Sequence, residues 1–156
     1  MKPLTPLAPW AMLCALLLAP VAQAEPDRYT PPKASDASLY QALGAKEGIS
    51  RVVEGLIQRS TTNPRIADKF KDTNLKNLRE QLVDQICELS GGPCRYEGNP
   101  MRAGHEDLNL NMGHFNALVE DLQQAMDQEG VPFRQQNRLL ALLAPMYRDV
   151  VKAPGR

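Results

Sequence analysis

The sequence predicts an all-α fold, and three observations support that prediction. Apolar residues recur three and four positions apart in most segments between Ser38 and Val151, which is the spacing of one helix face. Glycine, proline and asparagine clusters separate these segments, at places where helices usually end. The sequence shows no strict alternation of apolar and polar residues, the pattern of a half-buried strand.

Residues 1–24 predict a secretory signal peptide. They begin with the basic Lys2, continue into a short apolar run and end in an A-x-A sequence, which favours cleavage after Ala24. A lipoprotein is disfavoured because Leu13, rather than a small residue, precedes Cys14. We therefore expect a periplasmic or secreted protein.

The charge balance excludes several classes of function. Cleavage after Ala24 leaves 17 basic and 18 acidic residues, so a nucleic-acid partner, which needs a basic face, is not expected.

No apolar run outside the signal approaches the roughly 20 residues of a membrane span. The P-loop, G-x-S-x-G, HExxH and zinc-ligand spacings are all absent from the sequence, and no catalytic residue is predicted.

The N-terminal half of the chain predicts a leader and two main helices. Residues 25–36 contain three prolines and no apolar periodicity, which predicts a flexible leader before one domain at residues 37–152. A short helix is expected from Leu39 to Leu43. One apolar face predicts the next helix and is formed by Ile49, Val52, Val53, Leu56 and Ile57. A short helical piece is expected around Ile66 to Phe70.

A long helix and a loop come next. Asn74 belongs to a capping cluster before an apolar stripe formed by Leu75, Leu78, Leu82, Ile86 and Leu89. Residues 91–104 hold four glycines and two prolines, and they predict a loop.

Two further helices complete the predicted domain. Asn111 is expected to cap a helix that ends near Gly130. A last helix is expected from about Pro132 to Val151, with a kink where Pro145 falls inside it.

Two cysteines remain after signal cleavage, Cys87 and Cys94. Export to an oxidising compartment permits a disulfide between them, and the glycines and proline that separate them favour a turn. Two free thiols are the alternative, because close sequence spacing does not guarantee the approach of the Cα atoms. Neither cysteine lies in a CxxCH motif, which excludes covalent attachment of c-type haem.

The chain has only two histidines, His105 and His114. We expect His114 to be exposed, in the first turn of a helix. His105 follows Met101 by four residues, so the two share a face if the segment is helical. Spacing alone does not decide whether His105 is an ordinary structural histidine or a ligand.

The sequence resembles the group I truncated haemoglobins over residues 38–151. Four stretches carry the resemblance: SLYQALGAKEGISRVVEGL, NPRIADKFKDTNLKNLREQLV, LSGGPCRYEGNPMRAGHEDLNLNMGHF and GVPFRQQNRLLALLAPMYRDVV. Phe70, the Gly-Gly-Pro at 91–93, Tyr96, Met101 and His105 occur in the order and spacing typical of that family. The resemblance implies a two-over-two helical globin sandwich.

The same resemblance implies a non-covalent b-type haem with His105 as the iron ligand. Arg79 or Arg102 is expected to supply a cation for the haem propionates, because Asn77 and Gln81 stand where the family tends to place basic residues. The implied haem contacts are Phe70, Thr73, Leu78, Leu82, Ile86, Tyr96, Met101, Leu110, Phe115, Leu118 and Leu143.

The implied distal pocket is unusually apolar. Ile57 stands where the family often has a tyrosine, and Leu78 and Leu82 add no hydrogen-bond donor. Gln81 and Gln85 are the nearby polar candidates, and the sequence does not decide whether either reaches a ligand.

The function implied is reversible binding of a diatomic gas, which is oxygen, nitric oxide or carbon monoxide, for oxygen transport or nitric oxide scavenging. Enzymatic turnover such as nitric oxide dioxygenation is the less expected function, since the sequence shows no flavin or reductase domain and identifies no reductase partner. A globin domain without haem, acting in sensing or interaction, is the alternative from another class.

Overall fold

A computed structural model describes residues 32–152 of the chain. These residues form seven α-helices and no strand, which confirms the all-α prediction. The predicted signal peptide at residues 1–24 lies outside the described residues. The helices are α1 (Ser38–Ala42), α2 (Ala45–Thr62), α3 (Leu75–Leu89), α4 (Met101–His105), α5 (Met112–Gln128), α6 (Phe133–Leu143) and α7 (Tyr147–Val150), with 3-10 turns at Ala67–Phe70, Glu106–Leu108 and Ala144–Met146.

The core is built around α2, whose apolar face is buried as its periodicity predicts. Val53 is completely buried, and α2 packs against α3 on one side and α5 on the other. Helix α6 closes the core through Leu139, which is also completely buried, and it contacts α1, α3 and α5. Burial of these side chains is the main favourable contribution to folding.

Helix α3 begins and ends where local sequence signals place it. The Asn74 side chain accepts a hydrogen bond from the backbone N–H of Asn77 at 3.1 Å, which caps the first turn. After Leu89 the chain turns at Gly91, whose φ of +88° lies in the left-handed region. A side chain at Gly91 would also collide with the backbone, because its Cβ would lie 2.2 Å from the Asp36 carbonyl oxygen.

The end of the predicted leader makes contacts with the domain. The backbone N–H of Ala34 donates to the Leu89 carbonyl at 2.8 Å, and Lys33 forms an ion pair with Glu88. Contacts with the globular domain therefore begin before residue 37, at the C-terminal end of α3.

The predicted loop at 91–104 is irregular as far as Pro100, and α4 then begins at Met101. Cys87 and Cys94 are joined by a disulfide, with their Cα atoms 5.7 Å apart. The structure thus selects the disulfide from the two alternatives that the sequence leaves open.

The C-terminal helix differs from its prediction. One kinked helix was expected, but α6 ends at Leu143, a 3-10 turn follows, and α7 begins at Tyr147. The prediction of a single helix is wrong because Pro145 lacks a backbone N–H and its ring crowds the preceding turn.

No helix within residues 32–152 combines the length and the apolar character that crossing a membrane requires.

Candidate functional site

A cavity of about 550 Å³ lies beside α3, and its walls come from α2, α3, α4, α5 and the segment that precedes α4. Its lining is mainly apolar, and its polar side chains include the basic Lys69, the acidic Glu97, Thr73, Asn74 and Asn77. Of the residues singled out from the sequence, it brings together Ile57, Phe70, Thr73, Leu78, Gln81, Leu82, Tyr96, Met101, His105, Leu110, Phe115 and Leu118.

His105 is the last residue of α4, half-buried and in the cavity wall. Its Nδ1 atom lies 2.7 Å from the carbonyl oxygen of Met101, one helical turn earlier. A carbonyl only accepts hydrogen bonds, so this contact assigns the ring hydrogen to Nδ1. In the neutral ring, Nε2 then keeps a free lone pair, which is the form in which histidine binds a metal ion.

Gln85, which the resemblance offers as a polar candidate for the distal pocket, does not line the cavity. The residue is buried, with its amide nitrogen 3.6 Å from the sulfur of Met101 and 3.9 Å from the sulfur of Met146. The amide is directed at two thioethers from other helices. Gln85 therefore supports the start of α4, the helix that carries His105.

Three of the residues expected to form the distal pocket, on α2 and α3, are apolar where they line the cavity. Ile57, Leu78 and Leu82 all line it, and none carries a hydrogen-bond donor in its side chain. Ser60 also lines the cavity and is not among the site residues predicted from the sequence. Its hydroxyl donates to the buried carboxylate of Asp121 at 3.0 Å, so that donor is already used.

Gln81 lies at the edge of the cavity, against the segment that precedes α4. A Cβ added at Gly98 would lie 2.5 Å from the Gln81 side-chain oxygen and 2.5 Å from the Tyr96 hydroxyl. A side chain at position 98 would therefore displace the Gln81 amide or the Tyr96 phenol.

Tyr96 is held in the cavity wall by two hydrogen bonds. Its hydroxyl donates to the Asn99 carbonyl at 2.8 Å, and its backbone N–H donates to the Glu88 carboxylate at 2.9 Å. Partial burial raises the pKa of the Tyr96 phenol. The phenol is thus a neutral group whose donor is already used.

The two arginines expected to face the propionates are paired with carboxylates outside the cavity. Arg79 pairs with Glu54 at 2.7 Å, Arg102 pairs with Asp149 at 3.1 Å, and neither arginine lines the cavity. Lys69 lines it instead. Its ammonium group lies 3.2 Å from Asp68 and lowers the pKa of that carboxyl group. Lys69 directly precedes Phe70, an expected haem contact, and this position is the sequence signal that places the lysine near the site.

His114 is also placed differently from its prediction. The residue is half-buried and lines the cavity, whereas exposure was expected. Its Nδ1 accepts the backbone N–H of Asn111 at 3.2 Å, and the Asn111 side chain accepts the backbone N–H of His114 at 3.0 Å. This reciprocal capping box is predictable from the position of His114 three residues after Asn111.

Two predicted haem contacts belong to the hydrophobic core rather than to the cavity. Ile86 is 3% exposed and packs within the core, and Leu143 packs against that core from α6. Neither side chain lines the cavity.

The fold and this site agree with what comparisons with known proteins show. A model of the family described as bacterial-like globin matches residues 38–152. A group 1 truncated hemoglobin from Mycolicibacterium paratuberculosis is 30% identical over 118 residues, which cover 76% of this chain and 87% of the relative. The chain therefore belongs to the bacterial-like globins, and within them to the group 1 truncated haemoglobins.

Solved structures show the same fold. A truncated hemoglobin from Tetrahymena pyriformis in the Fe(III) form superposes with a TM-score of 0.71 at 25% identity, covering 74% of this chain and 98% of the other. A 2/2 hemoglobin from Synechococcus sp. PCC 7002, described with covalently attached heme, gives a TM-score of 0.69 at 25% identity, covering 73% of this chain and 98% of the other. Membership of this family implies haem-based gas binding.

Proposed function

We propose that this chain is an exported haem protein that reversibly binds a diatomic gas, with His105 as the proximal ligand of the iron. The observation that carries the proposal is the hydrogen bond from His105 Nδ1 to the Met101 carbonyl at 2.7 Å. For the neutral ring this bond selects the tautomer that leaves Nε2 free, in the wall of a cofactor-sized cavity.

The residues present fit a haem group. The cavity of about 550 Å³ falls within the range of roughly 300–1,000 Å³ that is usual for cofactor pockets. Phe70, Leu110 and Phe115 provide apolar surface for a porphyrin, while Lys69 and Thr73 provide a cation and a hydroxyl for its carboxylates.

We propose that the haem is b-type and held without a covalent bond. Both cysteines of the described chain are joined to each other, so neither offers a free thiol for attachment. One similar structure is nevertheless described with covalently attached heme. Acidified butanone separates a non-covalent haem from the polypeptide, and a protein mass that retains the haem after denaturation would contradict this proposal.

The apolar wall determines which gas is favoured. Haem iron supplies an open coordination position for a diatomic gas. Ile57, Leu78 and Leu82 line the cavity with apolar side chains that donate no hydrogen bond. A polar oxygen adduct depends most on such a donor, so the pocket favours nitric oxide and carbon monoxide relative to oxygen. We therefore propose nitric oxide scavenging ahead of oxygen transport, through gas binding rather than turnover.

Export remains part of the proposal, and the disulfide supports it. Disulfides such as Cys87–Cys94 persist in oxidising compartments and are rare in the cytosol. Mass spectrometry of the mature protein tests the signal directly, with a chain that begins at Glu25 expected and a chain that retains Met1 contradicting it.

The visible spectrum tests haem binding. Purified protein titrated with hemin is expected to give a Soret band with one equivalent bound. His105→Gly is expected to lose the absorption spectrum of histidine-ligated haem and to regain it when imidazole is added. If the wild type takes up no haem, the function is instead that of a haem-free globin module for sensing or interaction.

A further inference from the structure

The segment from Ser90 to Pro100 connects the cavity wall of α3 to the helix that carries His105. It contains no helix, it places Tyr96 in the cavity, and it leads directly into α4. The position of this segment therefore determines where α4, and with it His105, begins.

A disulfide fastens this segment to α3. Cys87 is completely buried in the last turn of α3, and Cys94 is half-buried in the returning chain. The return is tight at Gly92, where an added Cβ would lie 2.7 Å from the Cys87 sulfur and 2.6 Å from the Tyr40 ring. A larger residue at this turn would displace the covalent link.

A hydrogen bond next to the disulfide also holds the segment to α3. Glu88 follows Cys87 in α3, and its carboxylate accepts the backbone N–H of Tyr96 at 2.9 Å. The same carboxylate pairs with Lys33, at the end of the N-terminal segment. The disulfide and this hydrogen bond together hold both ends of a three-residue stretch that enters the cavity wall.

We propose that the Cys87–Cys94 disulfide is a redox control on the haem site, holding the Tyr96 segment and the start of α4 in the geometry that positions His105. This inference rests on the proposed haem-binding function. In the oxidised chain the disulfide holds the segment in one conformation before the cofactor binds. Little conformational entropy is then lost in positioning His105 when the cofactor binds. In the reduced chain the covalent link is lost, while the Glu88 hydrogen bond to Tyr96 and the backbone hydrogen bond from Gly92 to the Cys87 carbonyl remain, so the part of the segment beyond Gly92 moves more freely.

The reductant for this control is a dithiol. One of its thiolates attacks the half-buried Cys94 sulfur, the Cys87–Cys94 bond breaks, and the Cys87 sulfur leaves and takes up a proton. The second thiol of the reductant then displaces Cys94 as a thiol. The dithiol becomes a disulfide, and two electrons and two protons pass to the protein cysteines.

The effect is expected to be local. The disulfide links residues only seven positions apart. Cys87 belongs to the hydrophobic core and Cys94 packs against it, but α2, α5 and α6 add apolar side chains that this bond does not join, among them Val53, Met126 and Leu139. Reduction is therefore expected to free the segment while leaving the helical domain folded.

The first experiment uses protein without cofactor, so that it is independent of the proposed function. Hydrogen–deuterium exchange of the mature chain is compared before and after dithiol reduction. Faster exchange confined to residues 94–105, with an unchanged far-ultraviolet circular dichroism spectrum, is expected. Equal exchange in the two states would overturn the proposal, and so would reduction that unfolds the whole domain.

The second experiment measures hemin loss from reconstituted protein to excess apomyoglobin. Reduction is expected to accelerate the loss about ten-fold, which is the scale of losing an outer contact that orients a metal ligand. The Cys87→Ala/Cys94→Ala variant is expected to lose hemin at the reduced rate whether or not the dithiol is present. If oxidised and reduced wild type lose hemin equally fast, the inference fails while haem binding itself stands. If oxidised wild type binds no hemin, the proposed function fails, and the exchange experiment alone then decides whether the disulfide orders the segment.

Discussion

The Nδ1 atom of His105 donates a hydrogen bond to the carbonyl oxygen of Met101, 2.7 Å away and one turn earlier in α4. Both residues line the cavity, and the Met101 sulfur lies 3.6 Å from the amide of Gln85 in α3. A single short helix thus connects His105 to α3 through the contact between Met101 and the buried Gln85. The contacts of Met101 explain why a helix of five residues can present His105 in a defined orientation.

The distal pocket leads to a prediction about oxidation. Ile57→Tyr places a hydroxyl donor in the apolar wall, and we expect the ferrous protein in air to oxidise about ten-fold more slowly, the effect of roughly one net hydrogen bond. Stopped-flow absorbance of the ferrous-to-ferric change measures the rate. Ile57→Phe is the matched control, since it adds the ring without the hydroxyl. Equal rates in the two variants would contradict the placement of Ile57 beside the gas ligand.

The cation at the cavity is a second point that mutation can test. Lys69→Gln removes the lysine that lines the cavity, and we expect a loss of hemin affinity of about two- to five-fold, the size of a partly exposed ion pair. Arg79→Gln changes an arginine paired with Glu54 outside the cavity, and unchanged affinity is expected. Hemin titration followed at the Soret band compares the two variants. A larger effect from Arg79→Gln would support the original sequence prediction instead.

Asp121 gives a prediction about stability. Its buried carboxylate accepts hydrogen bonds from the Ser60 hydroxyl at 3.0 Å and from the Asn63 amide at 3.1 Å, which tie α2 to α5. Asp121→Ala leaves both donors without their partner, so we expect the free energy of unfolding to fall by about 2–4 kcal/mol. Ser60→Ala removes one donor and is expected to cost about 1 kcal/mol. Urea denaturation followed by circular dichroism measures both losses, and the reverse order of the two would contradict this assignment.

Glu88 gives a prediction about pH. Hydrogen bonds from Lys33 and from the Tyr96 backbone lower the pKa of Glu88 below its ordinary value of 4.5. A carboxyl group with a lowered pKa in the folded state adds stability that is complete above the unfolded pKa and is lost as the pH falls through the folded pKa. Wild-type stability is therefore expected to fall more steeply below about pH 4.5 than that of Glu88→Gln. Unfolding midpoints measured from pH 6 down to pH 3 check this, and parallel profiles would exclude a role for the carboxylate.

Features that depend on neighbouring residues were predictable from the sequence. Asn74 and Asn111 cap α3 and α5 as expected, because an N-cap needs only its own side chain and the next few backbone N–H groups. The reciprocal bond of His114 was equally local, and attention to the capping-box position would have revealed it. Pro145 was recognised as a disturbance, but the sequence alone did not show that it ends the helix.

Features that depend on distant residues were not predictable. Gln85 lies one turn from Gln81 on α3, yet Gln81 borders the cavity while Gln85 turns toward the sulfurs of Met101 and Met146. Arg79 and Arg102 were plausible propionate partners by charge alone. Each pairs with a carboxylate on another helix, Arg79 with Glu54 and Arg102 with Asp149. The sequence alone does not show that these residues lie close together.

The sequence by itself determined the helical class, the apolar faces, most helix ends and, through its resemblance, the family and the candidate iron ligand. Helical spacing and capping act over three or four residues, so they can be read from a linear string. Only the tertiary structure decided that Cys87 and Cys94 are paired, that Lys69 is the lysine in the cavity wall and that Gln85 faces away from it. These outcomes depend on which surfaces pack together, because the partner of each side chain is set by the arrangement of whole helices rather than by its neighbours in sequence.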